Sequence, residues 1–336
     1  MPEKEIGPSS IDIREDDLSA ISPEVLATLL RDHTTGRNIF WATHDYEALG
    51  SAYDYHAQIL PELITGEHGM VIRPRVLKSK ENQTDRAKDM AEVFTPSWVC
   101  NAQNNLVDEA WFGRKDVFNV EDSEHHTWKA TTEKIEVPEG KTWKDYVKAT
   151  RMEMTCGEAP YLASRYDTTT GDSIPLQQRI GLLDRKLRVV SENTDTSGDW
   201  LDWAQTAYMN TYGFEWQGDN VLLARENLLL TTAEHYQAKF GRTLGKATLQ
   251  QFAEIISWNI WQMDGIKFVV PETCHEVEDH QMTLFGIESK REPCPGCRSG
   301  DRLRHNGIYA TIMDWEENKV IRFVDTLEGG KQNGTV

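Results

Sequence analysis

Residues 151–161 read RMEMTCGEAPY, and residues 92–100 read EVFTPSWVC. The first segment is typical of a short strand that opens into a tight turn and a helix, because Gly157 lets a ligand come close to the backbone. The N–H groups that start such a helix bind anions, so this arrangement is typical of nucleoside sites at the carboxyl end of a strand. In the second segment Pro96 suits the first helical position after a Thr95 cap, which predicts a helix from Pro96 onward.

Together, and in this order, the two segments resemble the amino-terminal part of adenine-specific DNA methyltransferases related to the modification subunits of restriction systems. In that family an EVFTP segment precedes a DPACGTG-type loop, and both bind S-adenosylmethionine. The match to EVFTP is close. In the loop, Glu153 stands for the aspartate, Cys156 and Gly157 are kept, and Glu158 with Ala159 replaces the second turn.

The resemblance implies an α/β fold, a class I S-adenosylmethionine-dependent methyltransferase-like sheet of the Rossmann type, over residues 86–272. Residues 1–85 then form an amino-terminal helical and irregular segment with a linker, and residues 273–336 form a small carboxyl-terminal β-hairpin module. The implied activity is methyl transfer from S-adenosylmethionine to the N6 amine of adenine in DNA. The chain has no obvious room for the separate target-recognition domain of that family, so the DNA is bound directly or through a partner subunit.

The resemblance also implies which residues hold the cofactor. A carboxylate at Glu153 would receive its ammonium group, and an acid at the tip of the second core strand, Glu215, would accept both ribose hydroxyls, with Asp219 as the alternative. The residues alone leave open a plain strand–helix turn at Gly157 and a solvated strand end at Glu215. The full set of expected cofactor-binding residues is Phe94, Thr95, Pro96, Glu153, Cys156, Gly157, Glu158, Glu215 and Asp219.

Residues 258–262 (WNIWQ) form the predicted catalytic loop. Enzymes of this family have an Asn-Pro-Pro-aromatic tetrapeptide, in which two acceptors hold the hydrogens of the adenine amine and a ring stacks on the extruded base. Here Asn259, the carbonyl of Ile260 and Trp261 would supply these parts, with Asp264 as the alternative acid. The same residues fit the tryptophan-rich end of a core helix.

Both prolines of the tetrapeptide are missing, which leaves three alternatives to an active adenine methyltransferase. The chain could be a catalytically degenerate methyltransferase-like subunit or an acidic decoy, which are binding proteins. It could also be a methyltransferase that acts on RNA or protein. Methylation assays that compare DNA, RNA and protein substrates separate these readings.

The motif CPGC at residues 294–297 resembles half of a zinc knuckle, because Pro and Gly make a turn that points two thiolates at one ion. Cys274 and one nearby histidine would complete a tetrahedral set; the candidate histidines are His275, His280 and His305. We expect a closed structural zinc site, with no open position for catalysis, at Cys274, Cys294, Cys297 and His305. A thiol pair without metal is the alternative.

Apolar periodicity and turn residues place the other core elements. Strand–turn–helix units predict an α/β sheet. The predicted elements are a helix that starts at Pro23, a short strand that ends in acids at 212–219, helices at 221–230 and 249–256, a strand at 266–271 and a hairpin at 307–324.

The charge of the chain does not fit an unaided DNA binder. Lys and Arg number 36 against 54 Asp and Glu, which gives a net charge of −18. Neutralised phosphates supply most of the affinity of DNA-binding proteins, so such proteins usually carry a basic surface. This acidity favours a partner subunit or a DNA-mimic role.

The composition is that of a soluble globular protein. The polar start of the chain has no signal-peptide pattern, and no apolar run is long enough to cross a membrane. The 5 cysteines have no framework spacing, which argues against a secreted disulfide scaffold. We therefore expect a cytoplasmic protein without a membrane partner.

Overall fold

The computed structural model of the chain describes residues 14–79, 83–84, 86, 94–283 and 286–327, and of residues 279–283 and 286–289 it describes only the backbone. Glu92 and Val93 of the EVFTP segment lie outside the described residues.

The amino-terminal part begins with two helices and continues as irregular chain. Helix α1 spans Glu15–Ile21 and α2 spans Pro23–Leu30. The predicted start of α2 at its proline is confirmed, because a proline in the first turn lacks only an N–H that would have no partner there. A short ribbon of β1 (Arg31–Asp32) and β2 (Arg37–Asn38) follows, and residues 47–77 contain short 3-10 turns.

The middle of the chain alternates helices and strands. In chain order its elements are α3 (Ser97–Phe112), β3 (Asn119–Asp122), β4 (Thr127–Ala130), α4 (Trp143–Lys148), β5 (Arg151–Met154), α5 (Leu182–Asn193), α6 (Ser197–Met209), β6 (Thr211–Glu215), α7 (Gly218–Phe240), α8 (Lys246–Asn259) and β7 (Ile260–Gln262). The carboxyl-terminal elements are β8 (Val277–Thr283), β9 (Gly286–Glu292), α9 (Pro295–Ser299), β10 (Thr311–Asp314), β11 (Lys319–Arg322) and α10 (Phe323–Thr326).

Strands β5, β6 and β7 form a parallel sheet in that spatial order. Helices α5 and α6 connect β5 to β6, and helices α7 and α8 connect β6 to β7, which are the long crossovers that parallel strands need. The carboxyl ends of the three strands therefore lie at one edge of the sheet. The chain is a mixed α/β protein, and this arrangement is compatible with a Rossmann-type sheet.

The third strand of the sheet is not at the predicted place. The sequence predicts a strand at 266–271, but the strand is β7, and all three of its side chains are buried. Within 266–271, Val269 makes only an isolated bridge to Tyr309. A strand of three residues is too short to show a period, so the sequence pattern at 260–262 does not distinguish a buried strand from a loop.

One hydrophobic core is shared by the amino-terminal segment and the central helices. Leu29 and Trp41 belong to the same buried cluster as Leu229 of α7. The segment is also bound to the sheet, because the amide of Gln262 accepts the N–H of Phe40 at 3.1 Å and donates to its carbonyl at 2.9 Å. The amino-terminal segment therefore shares its core with the helices that follow it.

The hairpin of β10 and β11 packs on one face of the parallel sheet. A second buried cluster joins Phe214 and Trp261 of the sheet to Ala310, Ile312 and Phe323. The antiparallel pairing of β10 with β11 confirms the predicted hairpin. Because its apolar side chains cover β6 and β7, the hairpin is part of the sheet's packing.

Candidate functional site

The EVFTP segment and the loop after β5 lie against each other at the carboxyl end of the sheet. A Cβ atom added to Gly157 would lie 3.3 Å from the Phe94 ring, so the absence of a side chain lets the two segments touch. The hydroxyl of Thr168 donates to the carbonyl of Thr95 at 3.4 Å. The structure thus brings Phe94 and Thr95 together with the glycine loop.

Helix α3 begins one residue later than predicted. Pro96 is extended, with ψ at 145°, and precedes the first helical turn. The N–H of Ser97 donates to the carboxylate of Asp167 at 2.7 Å, so Asp167, and not Thr95, occupies the start of the helix. The sequence shows this residue only as part of a DTTTG turn signal.

The glycine loop has an unusual backbone. Thr155, Gly157 and Ala159 have φ values of +49°, +52° and +61°, a region that favours glycine. Cys156 is buried, and its N–H donates to the carbonyl of Phe214 at 2.9 Å. The Cys156 side chain packs in the core and its N–H is used by β6, so its expected role in binding the cofactor is corrected.

Glu153 is a buried carboxyl group with one oxygen unused. Its Oε2 has no hydrogen-bond partner among the described residues, while Oε1 accepts the N–H of Tyr161 at 3.4 Å. Burial raises the pKa of Glu153 well above 4.5, and the charge of Glu215 raises it further, although the N–H groups of Tyr161 and Leu162 oppose the shift. A buried acid with an unused oxygen fits a ligand's cationic group, which would satisfy it.

Glu215 links the three strand ends. Its Oε2 accepts the N–H of Gly157 at 2.9 Å, and its backbone carbonyl accepts the N–H of Met263 at 2.9 Å. The side chain is 9% exposed. An acid at the tip of β6, next to the glycine loop, is where the sequence predicts the ribose contact.

Asp219 does not belong to this group. The carboxylate is completely buried, with Arg86, Lys78 and the Tyr46 hydroxyl each within 3.0 Å of it. Burial alone would raise the pKa of Asp219, but Arg86 and Lys78 outweigh it and hold the pKa below its ordinary range. Asp219 ties the amino-terminal segment to α7, which corrects its expected role as the alternative ribose acid.

Glu158 is also engaged in the fold. Its Oε1 accepts the N–H of Arg75 at 2.6 Å, and its Oε2 accepts the hydroxyl of Tyr166 at 2.5 Å. The side chain is buried at 1% exposure. Glu158 therefore connects the glycine loop to Arg75 and Tyr166. Its expected contact with a cofactor is corrected to a structural role.

Asp264 lies at the carboxyl end of β7, on the same edge as Glu215. Its Oδ1 accepts the N–H groups of Ile266 at 2.9 Å and Lys267 at 3.0 Å, and its Oδ2 lies 3.4 Å from the Lys267 ammonium. Ile266, on the same turn, is 86% exposed. Of the expected catalytic residues, Asp264 is the one placed at this edge.

Asn259 does not present its amide to a substrate. Its Nδ2 donates to the carbonyls of Tyr208 at 2.8 Å and Thr211 at 3.1 Å, and its Oδ1 accepts the indole N–H of Trp315 at 2.8 Å. The side chain is 1% exposed. These bonds hold α8, β6 and the hairpin together, so the predicted catalytic role of Asn259 is corrected to a structural one.

Ile260 and Trp261 also make contacts within the fold. The Ile260 carbonyl accepts the Nε of the buried Arg225 at 2.8 Å. Trp261 is 2% exposed, and its ring centroid lies 5.1 Å from that of Phe323. Neither can reach a base, because both residues form β7 within the sheet, and their predicted catalytic roles are corrected as well.

The predicted metal ligands lie together in the carboxyl-terminal module. The ligand atoms of Cys274, Cys294, Cys297 and His305 are all within 4.8 Å of one another. His305 Nδ1 is 3.5 Å from the Cys274 sulfur and 3.7 Å from each of the other two. Tetrahedral zinc, with bonds of about 2.3 Å to sulfur and 2.0 Å to nitrogen, sets these atoms about 3.6 Å apart. The group could therefore hold a structural metal ion.

The backbone around the four ligands supports metal binding. The N–H of Asn306 donates to the Cys294 sulfur at 3.2 Å. Burial raises the pKa of the Cys294 thiol, but the N–H groups of Cys297 and Asn306 outweigh it and lower the pKa to about 6. A Cβ atom on Gly296 would lie 2.7 Å from the His305 ring, so only glycine lets the histidine come this close.

The group of four potential ligands is connected to the turn at Asp264 through backbone hydrogen bonds. The N–H of Phe268 donates to the Asp264 carbonyl at 2.7 Å. The N–H of Val270 donates to the Ile308 carbonyl at 2.8 Å, three residues beyond His305. These two bonds form a short backbone connection between Ile308, close to His305, and the turn that follows β7.

A cavity of about 470 Å³ lies between β4, α5 and α7. Its walls include Phe118, Trp128, Arg188 and His235. None of the residues expected to bind a cofactor, to bind a metal or to act in catalysis lines it, although its size is within the range of ligand sites.

Among the described helices, none combines the length and the apolar character needed to span a bilayer. A scan of protein-family models found no match to the chain, and searches of curated proteins and of solved structures found none either. These comparisons assign the chain to no family.

Proposed function

We propose that this chain binds S-adenosylmethionine at the carboxyl end of β5, β6 and β7, as the cofactor-binding subunit of an adenine-specific DNA methyltransferase of the restriction–modification type. One observation carries the proposal: the EVFTP segment meets the Gly157 loop beside Glu153, whose Oε2 has no hydrogen-bond partner among the described residues. When bound, the cofactor supplies an electrophilic methyl group.

The residues at this edge fit the parts of the cofactor. Glu153 offers a buried carboxyl group to the ammonium. The oxygens of Glu215 accept the N–H groups of Gly157 at 2.9 Å and Gln217 at 3.4 Å, and the ribose hydroxyls would donate to the same carboxylate. Gly157 has no side chain, and the Phe94 ring lies against it at the border of the proposed site.

We propose a subunit, and not an enzyme that acts alone, because the hydrogen-bond acceptors of Asn259 and Ile260 are already used within the fold. Trp315 donates to the Asn259 side chain and Arg225 donates to the Ile260 carbonyl. The two acceptors that bind the adenine amine would therefore come from residues outside 258–262. Asp264 is the candidate acid that this chain contributes. The net charge of −18 supports DNA contact through a partner subunit.

Replacing Glu215 by alanine is expected to weaken binding of S-adenosylhomocysteine by roughly 1.5–3 kcal/mol, because hydrogen bonds to a charged group are lost. Isothermal calorimetry on the full chain measures the change. Glu62→Ala, which removes an exposed acid from the amino-terminal segment, should leave the affinity unchanged. A folded wild-type chain that binds neither S-adenosylmethionine nor its product at millimolar concentration contradicts the proposed function.

Binding is also expected to release a proton from Glu153. Because burial keeps this carboxyl group protonated above its ordinary pKa of 4.5, an arriving ammonium group would ionise it. Affinity should therefore rise with pH above that value, and the calorimetric enthalpy should vary with the ionisation enthalpy of the buffer. Glu153→Gln should remove both effects.

The same shift predicts a change in stability. Above pH 4.5 the folded state holds the Glu153 proton more tightly than the unfolded state, so this group's contribution to stability falls as pH rises. Glu153→Gln should therefore raise the melting temperature more at about pH 8 than at about pH 5. A pH-independent effect of this substitution means that Glu153 is ionised in the free protein.

A further inference from the structure

The outer edge of β5 has no strand beside it among the described residues. β5 pairs with β6 on one side only. Arg151 donates its N–H to the Asn210 carbonyl on that side. Because successive residues of a strand alternate in direction, the backbone N–H and C=O groups of Met152 and Met154 face away from β6. Such an edge is a template for another strand.

One face of β5 is also uncovered. Met154 is the register partner of Phe214, and Phe214 is that of Trp261, so the three side chains form a row on one face. The carboxyl-terminal hairpin covers this row only in part: Phe214 and Trp261 are 4% and 2% exposed, whereas Met154 is 70% exposed. Met152, on the same face, is 38% exposed. Parallel sheets are normally covered on both faces, whereas the face of β5 that carries Met152 and Met154 is not covered by the described residues.

We propose that a partner chain adds a strand to the outer edge of β5 and covers Met152 and Met154 with apolar side chains. Methionine suits this role, since its flexible thioether adapts to a partner's surface. One end of the added strand would lie beside the Gly157 loop and so form a wall of the crevice at the carboxyl ends of the strands.

The charges favour a basic partner over a second copy of this chain. Burial, with Asp314 and Glu316 close by, raises the pKa of Tyr212, the register partner of Met152, to about 12. A second copy would bring the same acids and another net charge of −18 to this edge. Lysine or arginine around an apolar strand would instead complement the acids. The interface is argued from the edge and face of β5, so it stands or falls independently of the proposed cofactor site.

A short synthetic peptide that alternates lysine and valine tests the edge. Fluorescence anisotropy with the full chain should show it binding at least about tenfold more tightly than a peptide of the same composition with its lysines and valines in separate blocks. Met154→Asp should abolish this preference. Leu106→Asp, at a side chain that is 65% exposed on α3, should preserve it. Equal affinity for both peptides, or a preference that survives Met154→Asp, overturns the proposal.

Two measurements on the isolated chain test whether a second copy, or another part of this chain, lies at the outer edge of β5. Sedimentation should show a monomer; a dimer that Met154→Asp dissociates would assign the edge to a second copy and overturn the proposal. Hydrogen exchange should be fast at the amides of Met152 and Met154. Slow exchange in the monomer would mean that this chain already covers its own edge, which also overturns it.

Discussion

Serine at both Cys294 and Cys297 is expected to release one zinc ion per chain and to unfold the carboxyl-terminal module locally. The four ligand atoms converge within 4.8 Å, and a structural zinc site of this type binds with an apparent free energy of about 10–16 kcal/mol near neutral pH. Without the ion, the buried Cys294 and its neighbours lose the contacts that hold them together. Elemental analysis of protein purified without added metal measures the ion, and hydrogen exchange measures the loosening.

Because the Val270 and Phe268 N–H groups connect the module to the Asp264 turn, faster exchange should extend from residues 294–314 to residues 264–274. Cys100→Ser is the matched control, since this cysteine is a buried residue of α3 and does not belong to the four potential metal ligands. It should keep the full zinc content. Wild-type protein that contains no metal and is nevertheless protected throughout residues 264–314 rules out the structural site.

Asn259→Ala is expected to lower the free energy of unfolding by about 2–4 kcal/mol, because three hydrogen bonds are lost and two of the partners, the carbonyls of Tyr208 and Thr211, stay buried. The carbonyls of Tyr208 and Thr211 and the indole N–H of Trp315 would each be left without the Asn259 amide. Urea unfolding, followed by circular dichroism, measures the change.

Asn193→Ala provides the comparison for this substitution. Its amide makes a local bond to the Val189 carbonyl within α5 and is only partly buried, so its loss should cost less than about 1 kcal/mol. A chain that transfers methyl groups, and whose Asn259→Ala variant loses transfer but keeps its stability, would restore the catalytic interpretation of Asn259.

Long periodic elements could be predicted from the sequence. The apolar run at 221–230 predicts a helix, and α7 contains it, because a helical period persists over many residues. The strand–glycine pattern at 151–157 likewise predicts β5 and a tight turn at Gly157, but the helix predicted directly after this turn is wrong, because residues 158–175 form turns and irregular chain and the next α-helix, α5, begins at Leu182. Both α7 and β5 depend on local spacing and backbone freedom, which the sequence shows directly.

The prediction of a catalytic loop at residues 258–262 was wrong, because the structure of this segment depends on residues that are distant in the sequence. Ile260, Trp261 and Gln262 form a strand only by pairing with β6, and Arg225 takes the Ile260 carbonyl. Gln262 is held by Phe40, 222 positions away. The local sequence contains none of these partners, so a resemblance to a catalytic tetrapeptide could not be distinguished from a short buried strand.

The potential metal ligands could be predicted from the sequence only in part. The spacing of Cys294 and Cys297 predicts a shared ion, whereas the histidine could not be chosen from spacing alone. The choice of His305 depends on its backbone N–H, which donates to the Tyr309 hydroxyl, and on Gly296, which leaves room for its ring. His275 instead pairs with the side chain of Asn306 through its backbone.

Hydrogen exchange with and without S-adenosylhomocysteine tests the proposed cofactor site most directly. The cofactor should slow exchange at residues 155–161 and 215–217 and at the Asp264 turn, which together form the carboxyl edge of β5, β6 and β7. Glu153→Gln and Glu215→Ala should reduce that protection. Protection confined to the cavity of about 470 Å³ beside Trp128, or no protection at millimolar ligand, would contradict the account.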